Sequence, residues 1–194
     1  MARIHTEERQ VQIIDEAIRI IHESGYGALG IRRLAQRVGI TEPAIYRHFS
    51  GKDEIIVGIL DRVLKMGDMM LSRVSRSPDS RTKIKNFVLF HFEFLQKKPE
   101  LTSIVFSENL FHNNPVLKVK LKTIIYSRHQ LLKGLLDAAQ KQNVLADVDT
   151  DALAVLIIGN IRLIVLEWRL SDFEFDLLER GQRAWVTLEK LIFV

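Results

Sequence analysis

The stretch Ile31–Glu54, IRRLAQRVGITEPAIYRHFSGKDE, constrains this chain more than any other. Leu34, Ala35 and Val38 form an apolar i, i+1, i+4 set, which suits one face of a short helix. Gly39 follows where a helix end needs a left-handed residue, a conformation glycine takes at no steric cost. Ile40 is apolar and plugs the angle to the next element. Thr41 stands as an N-cap, its hydroxyl able to accept a bond from a free backbone N–H. Pro43 falls in the first turn of the second helix, where a missing N–H does no harm. Ile45 and Phe49, four apart, return that helix to the core, and Ser50 with Asp53 resembles a capping box opening a third element. This is the sequence form of a helix–turn–helix, whose second helix enters a DNA major groove.

Charge points the same way. Between Gly25 and Lys52 stand Arg32, Arg33, Arg37, Arg47 and Lys52 against the single acid Glu42, a net +4 that equals the formal charge of the whole chain. Basic residues concentrated on one segment are the footprint expected where lysine and arginine displace counterions from phosphates.

The segment GYGALGIRRLAQRVGITEPAIYRHFSGKDEII resembles the DNA-binding signature of the TetR/AcrR family of bacterial transcriptional regulators. Gly25, Tyr26, Arg32, Leu34, Ala35, Gly39, Thr41, Tyr46, His48, Phe49 and Lys52 match it in order and spacing, over roughly the first 60 residues. The resemblance implies that Tyr46, His48 and Lys52 hold phosphates while Thr41, Glu42, Pro43, Ala44 and Arg47 face the groove. Phosphate contacts set register and base-edge contacts set sequence, so Arg47 is the candidate for a bidentate guanine contact. One departure stands out. Leu29-Gly30 occupies the place where the family usually has Thr or Ser, so one hydroxyl contact to phosphate is missing and Arg32 or Arg33 is left to replace it.

The rest of the 194 residues reads as all-α, with four prolines, no cysteine and no alternating β-branched runs. The expected architecture has about nine helices. A three-helix head over residues 1–52 is joined by a long fourth helix to a helical ligand-binding and dimerisation bundle over 53–194. Thr6 caps the first helix, with Ile14, Ala17, Ile18 and Ile21 facing inward. The fourth carries Ile56, Leu60, Val63, Gly67, Met70 and Val74 as a stripe and breaks over Ser75–Ser80. Helices follow at Thr82–Lys98, Leu101 to about Phe111, Pro115 to about Gln142, Thr150–Leu170 and Asp176–Ile192. In the helix opened by Pro115, one apolar row (Leu117, Leu121, Ile124, Leu131, Leu135) and a second (Ile125, Leu132, Leu136, Ala139) suggest burial on two faces. No secretory signal and no membrane-length apolar run is visible, and the missing cysteines fit a reducing cytoplasm.

Six of the ten phenylalanines, Phe87, Phe90, Phe92, Phe94, Phe106 and Phe111, fall within 25 residues. Apolar pockets with a few convergent polar groups are the usual form of small-molecule sites. The resemblance implies an effector pocket here. Its candidate lining is Phe87, Phe90, His91, Phe94, Phe106, Asn109, Arg128, His129 and Arg162, and the expected effector is apolar or aromatic, with any acidic group met by Arg128. The last two helices carry more apolar surface than one core needs, which favours a homodimer. Leu156, Leu163, Leu177, Gly181, Ala184, Trp185 and Leu188 are the expected interface.

No cofactor and no metal site is expected: Glu108, His112 and His129 offer at most a chance grouping. No glycine-rich phosphate loop follows a strand, and no nucleophile stands in a catalytic setting, so an enzyme is not expected. The expected partners are double-stranded DNA, a small-molecule effector and a second copy, with no membrane. Effector binding would shift the fourth helix as a lever and move two recognition helices off successive major grooves, with repression the commoner family outcome. The alternatives are a ligand-independent architectural or nucleoid-associated DNA binder of the same fold, and a helical protein-interaction adaptor.

Overall fold

The computed structural model describes residues 6–106, 111 and 114–194. Nine α-helices occur among them: α1 (Thr6–Ser24), α2 (Ile31–Val38), α3 (Glu42–Tyr46), α4 (Lys52–Ser75), α5 (Ser80–Lys97), α6 (Thr102–Val105), α7 (Pro115–Lys141), α8 (Thr150–Leu170) and α9 (Leu177–Ile192). Extended pairing among the described residues amounts to a single bridge, Leu145 with Phe193. The chain divides into two compact units, Met1–Leu64 with Glu100–Lys122 and Lys65–Pro99 with Thr123–Val194; α4 and α7 each contribute to both.

In the first unit α1 supplies Ile13, Ile14, Ala17, Ile18, Ile20 and Ile21 to a core completed by Leu34, Ala35, Val38, Ile45, Phe49 and the first turns of α4. Each large side chain buried this way contributes about 1.5–3 kcal/mol. The turn between α2 and α3 closes on Gly39 at φ 74°, where the Gly39 N–H donates to the Gln36 carbonyl and the Ile40 N–H to that of Ala35. Arg62 of α4 reaches back to the Asp15 carboxylate and the Val11 carbonyl. Asn114 opens α7, its side-chain oxygen accepting from the Leu117 N–H at 3.1 Å while its amide donates to Asp53.

In the second unit α9 lies against α5 and α8. Gly181 sets the approach: a Cβ added there would stand 2.1 Å from the Phe92 ring, so the two helices touch through a residue with no side chain. Trp185, Phe87 and Phe92 are the largest fully buried groups around that contact. Three helices here start on aspartates or their neighbours for one reason: Asp79, Asp149 and Asp176 each accept from N–H groups of the first turn.

Several expected details change. The carboxylate that caps α4 is Glu54, accepting from the Ser50 N–H, because it is one residue better placed than Asp53 to reach back over Gly51. Thr41 has N-cap dihedrals but makes no side-chain cap bond. Helix α1 begins at Thr6, and the residues that would precede a cap there lie outside those described. On α7 only one row is buried, through Leu117, Ile124, Leu132, Leu136 and Ala139; Ile125 is 46 % exposed, so this helix covers the core from one side and presents the other outward.

Candidate nucleic-acid interface and effector core

Helix α3 is a five-residue peg whose inner side is Ala44 and Ile45 and whose outer side is Thr41, Glu42, Pro43, Tyr46 and Arg47, all exposed. Ala44, expected in the groove, is only 9 % exposed and packs inward; a residue three after the N-cap points back along the core side of so short a helix. Tyr46 is 54 % exposed, with its phenol outward. Thr41 makes no capping bond and is exposed. His48 is half-buried, its Nδ1 enclosed without a hydrogen-bond partner, while its carbonyl accepts from Gln10 at 3.4 Å.

The basic residues are not equally available. Arg32 is exposed at the start of α2, and Arg33 donates to the Ser24 hydroxyl at 3.0 Å. Arg37 is taken up by the head itself: it donates to Glu16 at 3.1 Å and grips both oxygens of Glu23 at 3.0 Å, which raises its pKa and lowers that of Glu23. Two acids outside the motif therefore cancel one of the five positive charges counted in it. Lys52 donates to the Tyr26 carbonyl at 3.0 Å and sits 3.6 Å from the centre of the Tyr26 ring. Burial there holds its pKa below the ordinary lysine range. The lysine expected only as a phosphate anchor thus clamps the 26–28 turn to the N-terminus of α4, with part of its donor capacity left. At Gly30 the backbone is extended, at φ −125°, no side chain caps α2, and a Cβ would meet nothing within 4 Å.

A second cluster lies inside the other unit. On α5, Phe87 and His91 stack obliquely at 4.9 Å, Phe90 meets His91 edge-on at 6.4 Å, and Phe90 stacks on Phe94 at 5.9 Å. The His91 Nδ1–H donates to the Phe87 carbonyl at 2.8 Å, leaving Nε2 with its lone pair. Burial pushes the His91 pKa down to about 4, against the pull of the Phe87 carbonyl and helped by the positive charge of Arg128. His91 is half-buried on α5. Arg128, from α7, is itself held below the ordinary arginine range by burial, with Asp68 pulling the other way. Its guanidinium lies against Gly67 of α4, where a Cβ would stand 2.1 Å from Nη1 and 2.2 Å from Nη2.

Of the other expected lining residues, His129 and Arg162 stand elsewhere in the second unit. Phe106 and Phe111 belong to the first unit. His129 sits 3.6 Å from Asp151 at the first turn of α8, an ion-pairing position. Arg162 is exposed on α8, next to Leu163 and away from the buried row of Ile157, Ile161, Ile164 and Val165. Asn109, Glu108 and His112 lie outside the described residues. Among the described residues no group of three or more His, Asp or Glu could hold a metal ion, and no helix is long and apolar enough to cross a membrane.

The outer face of α8 and α9 is apolar where a monomer would gain nothing. Val155, Leu156, Leu163, Leu166 and Leu170 are exposed on α8, and Val186 and Leu191 on α9. A groove between the helices is lined by Asn160, Leu163, Glu167, Arg183, Ala184 and Thr187. Of the residues expected there, Leu156 (68 % exposed) and Leu163 (54 %) are on this face and Ala184 and Leu188 at its half-buried border. Leu177, Gly181 and Trp185 are not: they lie on the inner side of α9, where they pack within their own chain.

An all-α chain whose N-terminal unit presents a glycine-turned helix–turn–helix with a basic, aromatic outer face is of the class of DNA-binding regulators. Family models make this specific. Residues 13–59 match bacterial regulatory proteins of the tetR family, and residues 56–190 match the C-terminal region of YsiA-like proteins. The chain belongs to the TetR family of transcriptional regulators. It is 26 % identical over 173 residues to the fatty acid metabolism regulator protein of Bacillus subtilis, covering 87 % of this chain and 88 % of that one. It is 23 % identical over 194 residues to the nucleoid occlusion factor SlmA of Glaesserella parasuis, covering 100 % and 96 %. The fold superimposes on the crystal structure of the regulator FadR from Bacillus subtilis in complex with stearoyl-CoA with a TM-score of 0.80, at 24 % identity and 92 % and 96 % coverage.

Proposed function

We propose that this protein is a dimeric, effector-released regulator that binds a palindromic operator through α3, and that its effector is a small molecule with a long apolar body. DNA reading is assigned to residues 1–52, and effector binding and dimerisation to 53–194. The observation that carries this reading is the pair of features built on one chain: an outward Thr41, Tyr46 and Arg47 on a rigidly turned helix, and a charged, aromatic interior around His91 and Arg128.

Tyr46 and His48 hold phosphates, Lys52 adds one from its clamped position, and Arg47 with Thr41, Glu42 and Pro43 selects bases. The fatty-acid regulator among the relatives and the stearoyl-CoA in a structural neighbour favour an acyl chain as the apolar body. The outer faces of α8 and α9 pack on a second copy, which places two α3 helices on one operator. Because α4 runs unbroken from Lys52 to Ser75, a ligand that displaces its Gly67 turn moves the helix that Lys52 and Glu54 begin. Binding rather than catalysis is the role, in the cytoplasm, with repression the default outcome.

The second reading, a nucleoid-associated binder that needs no ligand, is favoured by the full-length match to a nucleoid occlusion factor. Gel shifts on the DNA upstream of the protein's own gene, across a salt series and with palmitoyl-CoA or palmitate added, separate the two. A palindromic footprint at moderate salt that is lost on adding either compound supports the regulator. A footprint that neither compound alters, over a micromolar to millimolar series, overturns effector release by acyl compounds and favours the second reading.

A further inference from the structure

We propose that Arg37 is a positioning residue for DNA reading, one that serves operator selection without touching DNA. Its grip on Glu16 and Glu23 fixes α2 against α1 and, through the Gly39 turn, fixes the placement of α3; this rests on α3 as the reading helix, as proposed above.

Helix α3 cannot place itself. It has five residues, and Thr41 gives it no side-chain cap. A helix that short is not stable alone. Its direction is inherited from α2, whose last turn runs into it through the left-handed Gly39 and the bonds donated by the Gly39 and Ile40 N–H groups. Helix α2 is itself only eight residues long and buries Leu34, Ala35 and Val38. Apolar burial holds a helix to its neighbour but is non-directional, so it fixes rotation and slide only loosely.

The directional contacts come from arginines. Arg33 and Arg37, four apart, stand on one flank of α2 and both turn to α1. Arg33 donates to the Ser24 hydroxyl at 3.0 Å. Arg37 donates from Nε to Glu16 at 3.1 Å, and from Nη1 and Nη2 to the two oxygens of Glu23 at 3.0 Å each. Glu16 and Glu23 lie seven residues apart on α1, about two turns, so one guanidinium is tied to that helix at two heights. The paired bond to Glu23 uses the planar fork of arginine, which an ammonium cannot reproduce. Glu16 also accepts from Arg19, so two carboxylates meet two guanidinium groups and the cluster carries no net charge. A neutral cluster has little attraction for phosphate, and an ion pair with this much exposure adds little to stability. What it supplies is geometry.

The paired substitution Arg37→Gln with Glu23→Gln removes the bidentate grip and leaves the net charge of the head unchanged. Fluorescence anisotropy across a salt series compares the full-length protein and this variant on two duplexes of about 30 base pairs, room for two half-sites. One is selected from a random pool by the wild-type protein; the other has the same bases shuffled. Operator affinity should fall at least about tenfold, the cost of one mismatched base pair, while affinity for the shuffled duplex stays within about twofold. The slope of log affinity against log salt should not change. Arg37→Lys, which keeps the charge and loses the fork, should lower the operator-to-shuffled ratio by a smaller factor at the same slope. It decides the matter if the paired variant melts below the assay temperature.

A phosphate contact gives a different result. Losing one from each protomer weakens binding to both duplexes alike and flattens the salt slope by about 1.8 per dimer, and that outcome overturns the proposal. So does a ratio that stays at the wild-type value, whether or not the melting temperature drops, because the pair is then a structural tie and nothing more. If the wild-type protein enriches no sequence from the pool, operator reading by α3 falls and this inference falls with it.

Discussion

At the scale of single residues, burial decides what chemistry a side chain has left. His91 is neutral in the native state with a pKa of about 4, whereas it titrates near 6.5 when unfolded. Between those values the unfolded chain binds the extra proton, so stability must fall as the pH drops from about 6.5 toward 4. Urea melts at pH 7 and pH 5 should differ by about 2 kcal/mol from this group alone, and His91→Leu should remove that part of the difference. Gly181 gives a second prediction at this scale. A Cβ at Gly181 strikes the Phe92 ring, which is fully buried and has nowhere to swing, so Gly181→Ala should cost about 1–3 kcal/mol in the same assay. The sequence displays both Gly67 and Gly181 at stripe positions, but whether a glycine faces a guanidinium or an aromatic ring depends on which helix arrives opposite.

At the scale of elements, local chemistry was largely legible. The αL turn at Gly39, the proline in the first turn of α3, the break over 75–80 and the ends of α8 were all readable because each rests on backbone sterics within a few residues. Gly39→Ala, forced to φ 74°, should lower stability by about 1–2 kcal/mol and weaken DNA binding with it, as thermal melts and gel shifts would record. Gly30 is the opposite case. Its backbone is ordinary and open, so Gly30→Ser should add a cap and a hydroxyl without strain, changing stability by only a few tenths of a kcal/mol. Operator affinity should rise severalfold, and an unchanged affinity would mean that Arg32 or Arg33 already serves that phosphate. Less legible were the faces of α7 and α9. Apolar residues on two sides of α7 read as two buried rows, yet Ile125 is exposed; on α9 Leu177, Gly181 and Trp185, expected at an interface, turn inward while Leu191 is 74 % exposed. Periodicity shows that a face is apolar and is silent on whether its partner belongs to the same chain.

For the whole molecule, the expected partner of the exposed apolar face is a second copy. Leu163→Asp should shift sedimentation from dimer to monomer and weaken operator binding by about 100-fold, the usual size of a lost bivalent advantage. Trp185→Phe should leave the oligomeric state alone and register only in stability, since that indole is buried in its own protomer. The sequence by itself determined the helical class, the turn chemistry of the DNA-reading head, its charge and its family, because these depend on neighbours within one or two turns. Only the tertiary structure decided which basic residues of the head are already engaged, with Arg37 held by Glu16 and Glu23 and Lys52 by Tyr26. It alone brought Arg128, 61 positions beyond Gly67, to rest against that glycine. Such contacts join residues far apart in the chain, and their geometry is fixed by how helices pack rather than by any spacing along the sequence.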